Sequence, residues 1–418
     1  MIRLISFVQL WQFFSHYGNR ALLLLFMVEG LQMVDQKAIA LYALYAGLFE
    51  LGGLAGGMIA DRFLGVRRAL LLGALLIATG HIVFAFQGGF YAGLAWIVAG
   101  SALFSPSITA LLARVSQEGE RERNFTYFYV VMNVGALLST IICPLLAHHY
   151  GWHFGFGAAA VGMLIGVLTL LMMRIKSEES ATKPMIGIVA TLALFGLAYG
   201  ALHIEQLLLP ILPLLVIGIF ILMVRKYRKV IWPLIALVLF FAVEEQMGSS
   251  LLLFAERNVS SHLPMPILMA TNPVVVLLFG TLVAKIKGRL RLVLPFALVG
   301  LVFALLGGAI FLNLVVTTIG MIAVFALISF SELLIGPYVY SSVAEVSTKG
   351  SVMGLVPLGF SLASLMGGGI AKGVSHHFGW GFTLLALLLI LTSIIMGTKH
   401  GYYKRSRENG AKVDGSTV

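Results

Sequence analysis

The chain has 418 residues, of which 60% are hydrophobic and only 11% charged, with a formal net charge of +11. A soluble domain carries roughly 25% charged residues, so a water-solvated globule is excluded and a membrane-embedded protein is implied. The single cysteine, Cys143, forbids an internal disulfide, and its apolar surroundings point to packing rather than redox chemistry.

Crossing roughly 30 Å of hydrocarbon takes about 20 apolar residues, and such runs follow one another almost end to end. The first six predicted helices lie at 4–30, 38–60, 69–86, 91–114, 125–148 and 153–174. The first has no small-residue cleavage site, so it is expected to be retained rather than removed as a signal peptide. Two more, 185–203 and 206–224, follow a polar linker and meet at a tight turn around His203 and Glu205. The last six are predicted at 231–255, 264–286, 291–312, 315–346, 351–375 and 379–397. The expectation is an all-α membrane protein with 14 transmembrane helices, two six-helix bundles and two extra helices between them. Its divisions are an N-terminal bundle at 1–174, a linker with the extra helices at 175–230, a C-terminal bundle at 231–398 and a tail at 399–418.

The 28 Lys and Arg residues are placed with a strong bias. All but Arg20, Lys37, Arg257 and Lys372 fall on the side shared by both termini, which the positive-inside rule makes cytoplasmic. The basic linker and tail lack aromatic interleaving, so they read as charge for a lipid surface and not for nucleic acid.

An internal repeat supports two halves independently of hydropathy. His148-His149-Tyr150-Gly151-Trp152 recurs as His376-His377-Phe378-Gly379-Trp380, each copy at the turn between the fifth and sixth helix of its half. Gly65-Val66-Arg67-Arg68 has a weaker echo in Gly288-Arg289-Leu290-Arg291, between the second and third helices.

Gly56 to Arg68 reads Gly-Gly-Met-Ile-Ala-Asp-Arg-Phe-Leu-Gly-Val-Arg-Arg. In this stretch Gly57, Asp61, Arg62, Gly65, Arg67 and Arg68 resemble the loop between helices two and three of major facilitator transporters. Glycines allow close helix approach, and an aspartate there can pair with an arginine or a helix N-terminus to hold a cytoplasmic gate. Transporters of that superfamily have duplicated halves with the substrate site between them at the midplane.

Further stretches, in order and one per expected helix, resemble the proton-dependent oligopeptide transporters. They are Trp11 to Ala21 in the first helix, Phe128-Tyr129 with Asn133-Val134-Gly135 in the fifth, and Glu245 to Ser250 in the seventh. Asn272-Pro273 in the eighth and Ser331-Glu332-Leu333 with Pro337 in the tenth complete the series. Bacterial members of that family also carry two extra helices between the halves. The chain departs from the family where a Glu-x-x-Glu-Arg pattern is replaced by Gln9, Gln12 and Phe13, and where a helix-four lysine is replaced by Ser105 before Pro106. Those departures remove cations that would clamp a peptide carboxylate.

Ionisable residues within predicted membrane helices are costly and therefore functional candidates. The resemblance implies that Arg20 pairs with Glu245 near the outer gate, either as a switch or as a permanent structural pair. It also implies that Glu332 receives a substrate amino group; carrying a proton, or a purely structural hydrogen-bonding role, remain alternatives. Glu50 is a candidate substitute for the lost first-helix acids, or else a structural acid. Glu244 points about 100° away from Glu245 on a helix, so at most one of the two is expected to face a cavity directly. Tyr17 and Tyr45 are the first aromatic candidates for a binding wall, joined by Gln12, Ser105 and Asn133. His16 and His81 are candidates for titration near neutral pH or for simple interfacial anchoring.

No phosphate-binding glycine loop follows a strand and no metal-ligand spacing is present, so neither an enzyme nor a cofactor or metal is expected. The expected partners are a small solute, peptide-like by resemblance, together with protons and membrane lipid, and the chain is expected to be a monomer in the bacterial inner membrane. The leading expectation is secondary active, proton-coupled uptake by alternating access. The alternatives are a facilitator-type carrier of a non-peptide metabolite or amphiphile, with altered or absent proton coupling, and a membrane protein that no longer transports.

Overall fold

The computed structural model describes residues 1–84, 88–117, 120–175, 183–226, 231–283, 286, 290–346 and 355–414. Gly288 and Arg289 of the weaker echo and residues 176–182 of the linker lie outside the described residues.

The N-terminal half is six antiparallel helices: α1 (Ile2–Leu25), α2 (Asp35–Ile59), α3 (Val66–Phe84), α4 (Phe90–Val115), α5 (Arg121–Tyr150) and α6 (Trp152–Met172). Helices α1 and α2 each end in a wider π turn, Phe26–Gly30 and Ala60–Leu64. Then come α7 (Pro184–His203) and α8 (Glu205–Lys226). The C-terminal half opens with α9 (Ile231–Glu244), a 3₁₀ turn at Glu245–Gly248 and α10 (Ser250–Asn258), which together make one broken span. It continues through α11 (Thr271–Val283), entered by a 3₁₀ turn at Met265–Ala270, and α12 (Leu290–Phe311). It closes with α13 (Thr318–Val346), α14 (Leu355–His376) and α15 (Phe378–Asp414). Chain reversal at every turn brings both termini to one face, called here the termini face.

Twelve helices among the described residues are long and apolar enough to span a membrane. The first helix falls outside that set because Gln9, Gln12, His16, Asn19 and Arg20 give it a polar side; the second extra helix contributes a shorter apolar stretch, Glu205–Ile221. The helical fold with six, two and six spans agrees with the sequence expectation. The last helix continues to Asp414.

The outer shell is apolar, with Leu168, Leu197, Leu305 and Ile394 all exposed, as a lipid solvent requires and water would not allow over so large an area. The principal core runs across both halves, from Leu22, Leu44 and Tyr45 to Phe296, Val356 and Phe382. Without a hydrophobic drive between helices in lipid, close backbone contact does the packing, and small residues permit it. A Cβ on Gly56 would overlap the carbonyl of Ala102, which locks α2 onto α4. The extra helices pack outside the bundles: Trp96 of α4 stacks on Phe195 of α7 at 3.9 Å, and Val216 and Phe220 of α8 join the principal core.

The pentapeptide repeat takes two different backbones. Gly151 sits at φ +98° between α5 and α6, a conformation that disfavours any side chain. In the second copy Phe378 begins α15, and Gly379 lies inside that helix.

Candidate functional site

A cavity of about 490 Å³ lies between the halves. The N-terminal half contributes Phe13, Tyr17 and Arg20 from α1, Glu50 from α2, and Tyr129, Met132 and Asn133 from α5. The C-terminal half contributes Phe241, Glu244 and Glu245 around the helix break, Asn272 and Val276 from α11, Glu332, Leu333 and Pro337 from α13, and Pro357, Phe360 and Ser364 from α14. One cation therefore faces four carboxyl groups among the described lining residues.

The charges are organised. Arg20 Nη2 lies 2.8 Å from Glu245 Oε2, and Arg20 Nε donates to the Tyr42 hydroxyl at 3.0 Å. Ser364 Oγ donates to the other Glu245 oxygen at 2.8 Å, so both carboxylate oxygens are held. A carboxylate and a guanidinium in lipid are tolerable because each neutralises the other. On the far wall, Asn272 Nδ2 donates to Glu332 Oε2. Tyr17, Tyr129, Glu244 and Glu332 share one electrostatic neighbourhood with Arg20 at its edge.

Both Glu244 and Glu245 border the cavity, which corrects the expectation that at most one would. The α-helix stops at Glu244 and tightens into a 3₁₀ turn at Glu245, so the cavity wraps around a helix end instead of one helix face. Of the other sequence candidates, Tyr17, Asn133, Glu50 and Glu332 line the cavity. Asn133 also donates to the Tyr129 carbonyl at 2.9 Å, which fixes its amide. Gln12 is buried and accepts from Gln9 at 3.3 Å; Tyr45 is buried and accepts from Asn19 at 3.3 Å; neither is on the cavity wall. Ser105 lies on α4 away from the cavity, its carbonyl accepting from Thr109 at 3.0 Å. His16 stacks on Phe49 at 4.4 Å, and His81 is fully buried in the N-terminal half rather than placed at an interface.

In the loop after α2, Gly65 has φ +72°, so the glycine is demanded by the turn itself. Asp61, Arg62, Arg67 and Arg68 are exposed there. At the helix end the tight steric position is Gly56, whereas a Cβ on Gly57 would stand an ordinary 3.5 Å from Pro106.

Away from the termini face, the two halves are tied together in a series that sequence reading missed. Arg257 clamps Asp35 with two hydrogen bonds of 2.6 and 2.7 Å. Gln36 Nε2 donates to Ser375 Oγ at 3.2 Å and to the Lys372 carbonyl at 3.4 Å. Deeper in, Ser361 Oγ donates to the Gly47 carbonyl at 3.0 Å. A Cβ on Gly368 of α14 would overlap Ala43 of α2, so these two helices touch backbone to backbone. The one available sequence signal was that Asp35 and Arg257 are opposite charges at the same ends of the second and seventh spans. The cavity is thus sealed at the face opposite the termini, and its lining reaches toward the termini face as far as Tyr129, Pro337 and Pro357.

Comparisons with known proteins follow the same lines. The family model described as PTR2, POT family, matches residues 67–200. Dipeptide and tripeptide permease A of Salmonella typhimurium is 28% identical over 416 residues, covering 88% of this chain and 83% of that protein. The uncharacterized transporter YclF of Bacillus subtilis is 29% identical over 321 residues, 66% of this chain; the match spans 65% of YclF, a little under two thirds of its length. A solved bacterial homologue of the human drug peptide transporters PepT1 and PepT2 superposes with a TM-score of 0.83 at 25% identity, covering 97% of this chain and 98% of that one.

Proposed function

We propose that this chain is a proton-dependent oligopeptide transporter, a secondary active transporter that takes up peptides or peptide-like solutes with protons by alternating access. The termini face is cytoplasmic under the positive-inside rule, and the membrane is the bacterial inner membrane. The conformation described above is then shut to the outside and faces inward. The carrying observation is the cavity charge: one guanidinium, already held by Glu245, against Glu50, Glu244 and Glu332 in addition.

Three carboxyl groups in excess within lipid cannot all stand ionised without compensation. Uptake with protons requires that the two be carried together: in the loaded protein a solute cation sits at Glu332 while protons sit on the remaining carboxyl groups. That joint occupancy couples solute to proton, because the halves close only over a site so neutralised. Reopening to the outside requires breaking Arg20–Glu245 and Asp35–Arg257, while closure of the termini face shuts the cavity below Tyr129 and Pro357. The likeness of the relatives named as peptide permeases supports the solute class, and the size of the cavity suits a short peptide. The N-terminal and C-terminal bundles act as two rocking bodies with the linker pair, α7 and α8, carried on their flanks.

The test is uptake in proteoliposomes holding the purified chain. An imposed inward proton gradient should drive accumulation of a labelled dipeptide above equilibrium. Glu332→Gln should abolish that accumulation yet keep solute exchange at equal pH on both sides, since exchange needs no net proton movement. Accumulation undiminished in Glu332→Gln removes this residue from coupling, and failure of every short peptide to be taken up defeats the function proposed.

A further inference from the structure

We propose that the central cavity selects peptide-like solutes bearing a cationic amine and no free carboxylate, such as dipeptide amides or esters; this rests on the transport reading above and narrows its substrate.

The inference follows from how the cavity's charges are already committed. Arg20 is the single cation among the described lining residues, and its Nη2 is engaged by Glu245 at 2.8 Å while its Nε is engaged by the Tyr42 hydroxyl at 3.0 Å. Glu245 in turn is anchored on its second oxygen by Ser364 at 2.8 Å. A solute carboxylate could reach the positive charge only by sharing the guanidinium with Glu245, which divides one cation between two anions, or by displacing that glutamate and leaving it without a counter-charge inside the membrane. The incoming anion would also stand beside Glu50, Glu244 and Glu332 within the same 490 Å³, adding a negative charge where three carboxyl groups already compete for compensation. The solute's own ammonium offsets that carboxylate and leaves a zwitterion with no net charge to give the site.

An amine meets the opposite situation. Glu332, held by the Asn272 amide, and Glu244 both line the cavity, so an ammonium at Glu332 gains a charged acceptor and takes up part of the excess negative charge. The remaining polar lining is neutral: Asn133, with its amide fixed on the Tyr129 carbonyl, and the hydroxyls of Tyr17 and Tyr129 suit a terminal amide or ester. The rest is apolar and soft, with Phe13, Met132, Phe241, Met247, Met269 and Phe360 offering rings and thioethers to a hydrophobic side chain. The charge of the site therefore favours a net cation over a zwitterion.

The decisive comparison uses three probes of nearly equal size on the full-length protein in detergent, by isothermal titration calorimetry: phenylalanyl-alanine, its C-terminal amide, and the N-acetylated amide. The amide should bind at least tenfold more tightly than the free dipeptide, and N-acetylation should weaken the amide at least tenfold. Glu244→Gln should narrow the gap between amide and free acid, because it removes one of the carboxyl groups competing for compensation. Equal or tighter binding of the free dipeptide overturns the proposal, as does the absence of measurable binding by all three probes. The first comparison needs only the native chain, so a poorly folding variant does not rescue the idea. Accumulation in proteoliposomes is scored separately. Selective amide binding without proton-driven accumulation refutes the transport function and leaves the selectivity, whereas equal accumulation of acid and amide does the reverse.

Discussion

Replacing Gly368 with valine should force the outer side of the protein open without unfolding either half. In the closed arrangement a Cβ at this position would overlap that of Ala43, with the Ala43 Cα and Ile39 carbonyl already in contact at 3.6 and 3.8 Å, so a side chain here collides with α2. Valine adds three heavy atoms to that seam. Overpacking of this kind costs about 1–3 kcal/mol, and the strain is relieved if α2 and α14 part. With tenfold per 1.4 kcal/mol, the ratio of closed to open molecules should fall by a factor of about 5 to 150. The cost belongs to the closed state because Gly368 meets the other half of the protein, so each half should keep its own packing. Spin labels on Val34→Cys and Val315→Cys, both strongly exposed, one on each half and at the sealed face, read the separation by double electron–electron resonance. Only Cys143 needs to be replaced by serine first. A longer-distance population should grow in Gly368→Val. A distribution identical to that of the parent would refute the claim that the α2–α14 seam holds the outer side shut.

Two further outcomes are expected. The Asp35–Arg257 clamp is bidentate but its side chains are 24% and 41% exposed, so water and salt screen it; Arg257→Ala should shift the same label distances by no more than about two- to fivefold in population, less at high salt, and Asp35→Ala added to it should contribute little more. Gly151 holds φ +98°, where a side chain is strained by about 1–3 kcal/mol, so Gly151→Ala should lower the midpoint of thermal unfolding measured by intrinsic fluorescence, while Gly157→Ala, with open space around its Cβ, should not.

Much of the fold was legible because lipid imposes a single rule: every backbone polar group must be satisfied within its own segment, so apolar runs of the right length become helices. The repeat of His148 to Trp152 in His376 to Trp380 located the matching turns of the two halves, although it did not show that one turn uses a glycine in a left-handed conformation and the other a helix start. Charged residues stranded in apolar runs, such as Arg20, Glu50, Glu245 and Glu332, stand out in a sequence because burying them costs so much. Gln12 and Ser105 stood out only by position in a motif and Tyr45 only as an aromatic ring, and uncharged side chains at those places can face a neighbouring helix as well as a cavity.

The amino-acid order alone settled the number of spans, their division into six, two and six, and the small set of ionisable groups that the membrane interior must accommodate, because hydropathy and charge act locally along the chain. Beyond Arg20 and Glu245, which the family resemblance paired and which lie 2.8 Å apart, it could not decide which of those groups meet. Glu244 joins Glu245 at the cavity only because the helix tightens between them, and Asp35 finds Arg257 across 222 positions only when α2 and α10 stand side by side. Pairing across the midplane depends on the packing of one half against the other, and that packing is set by close contacts such as Gly368 on Ala43, whose partners no local pattern names.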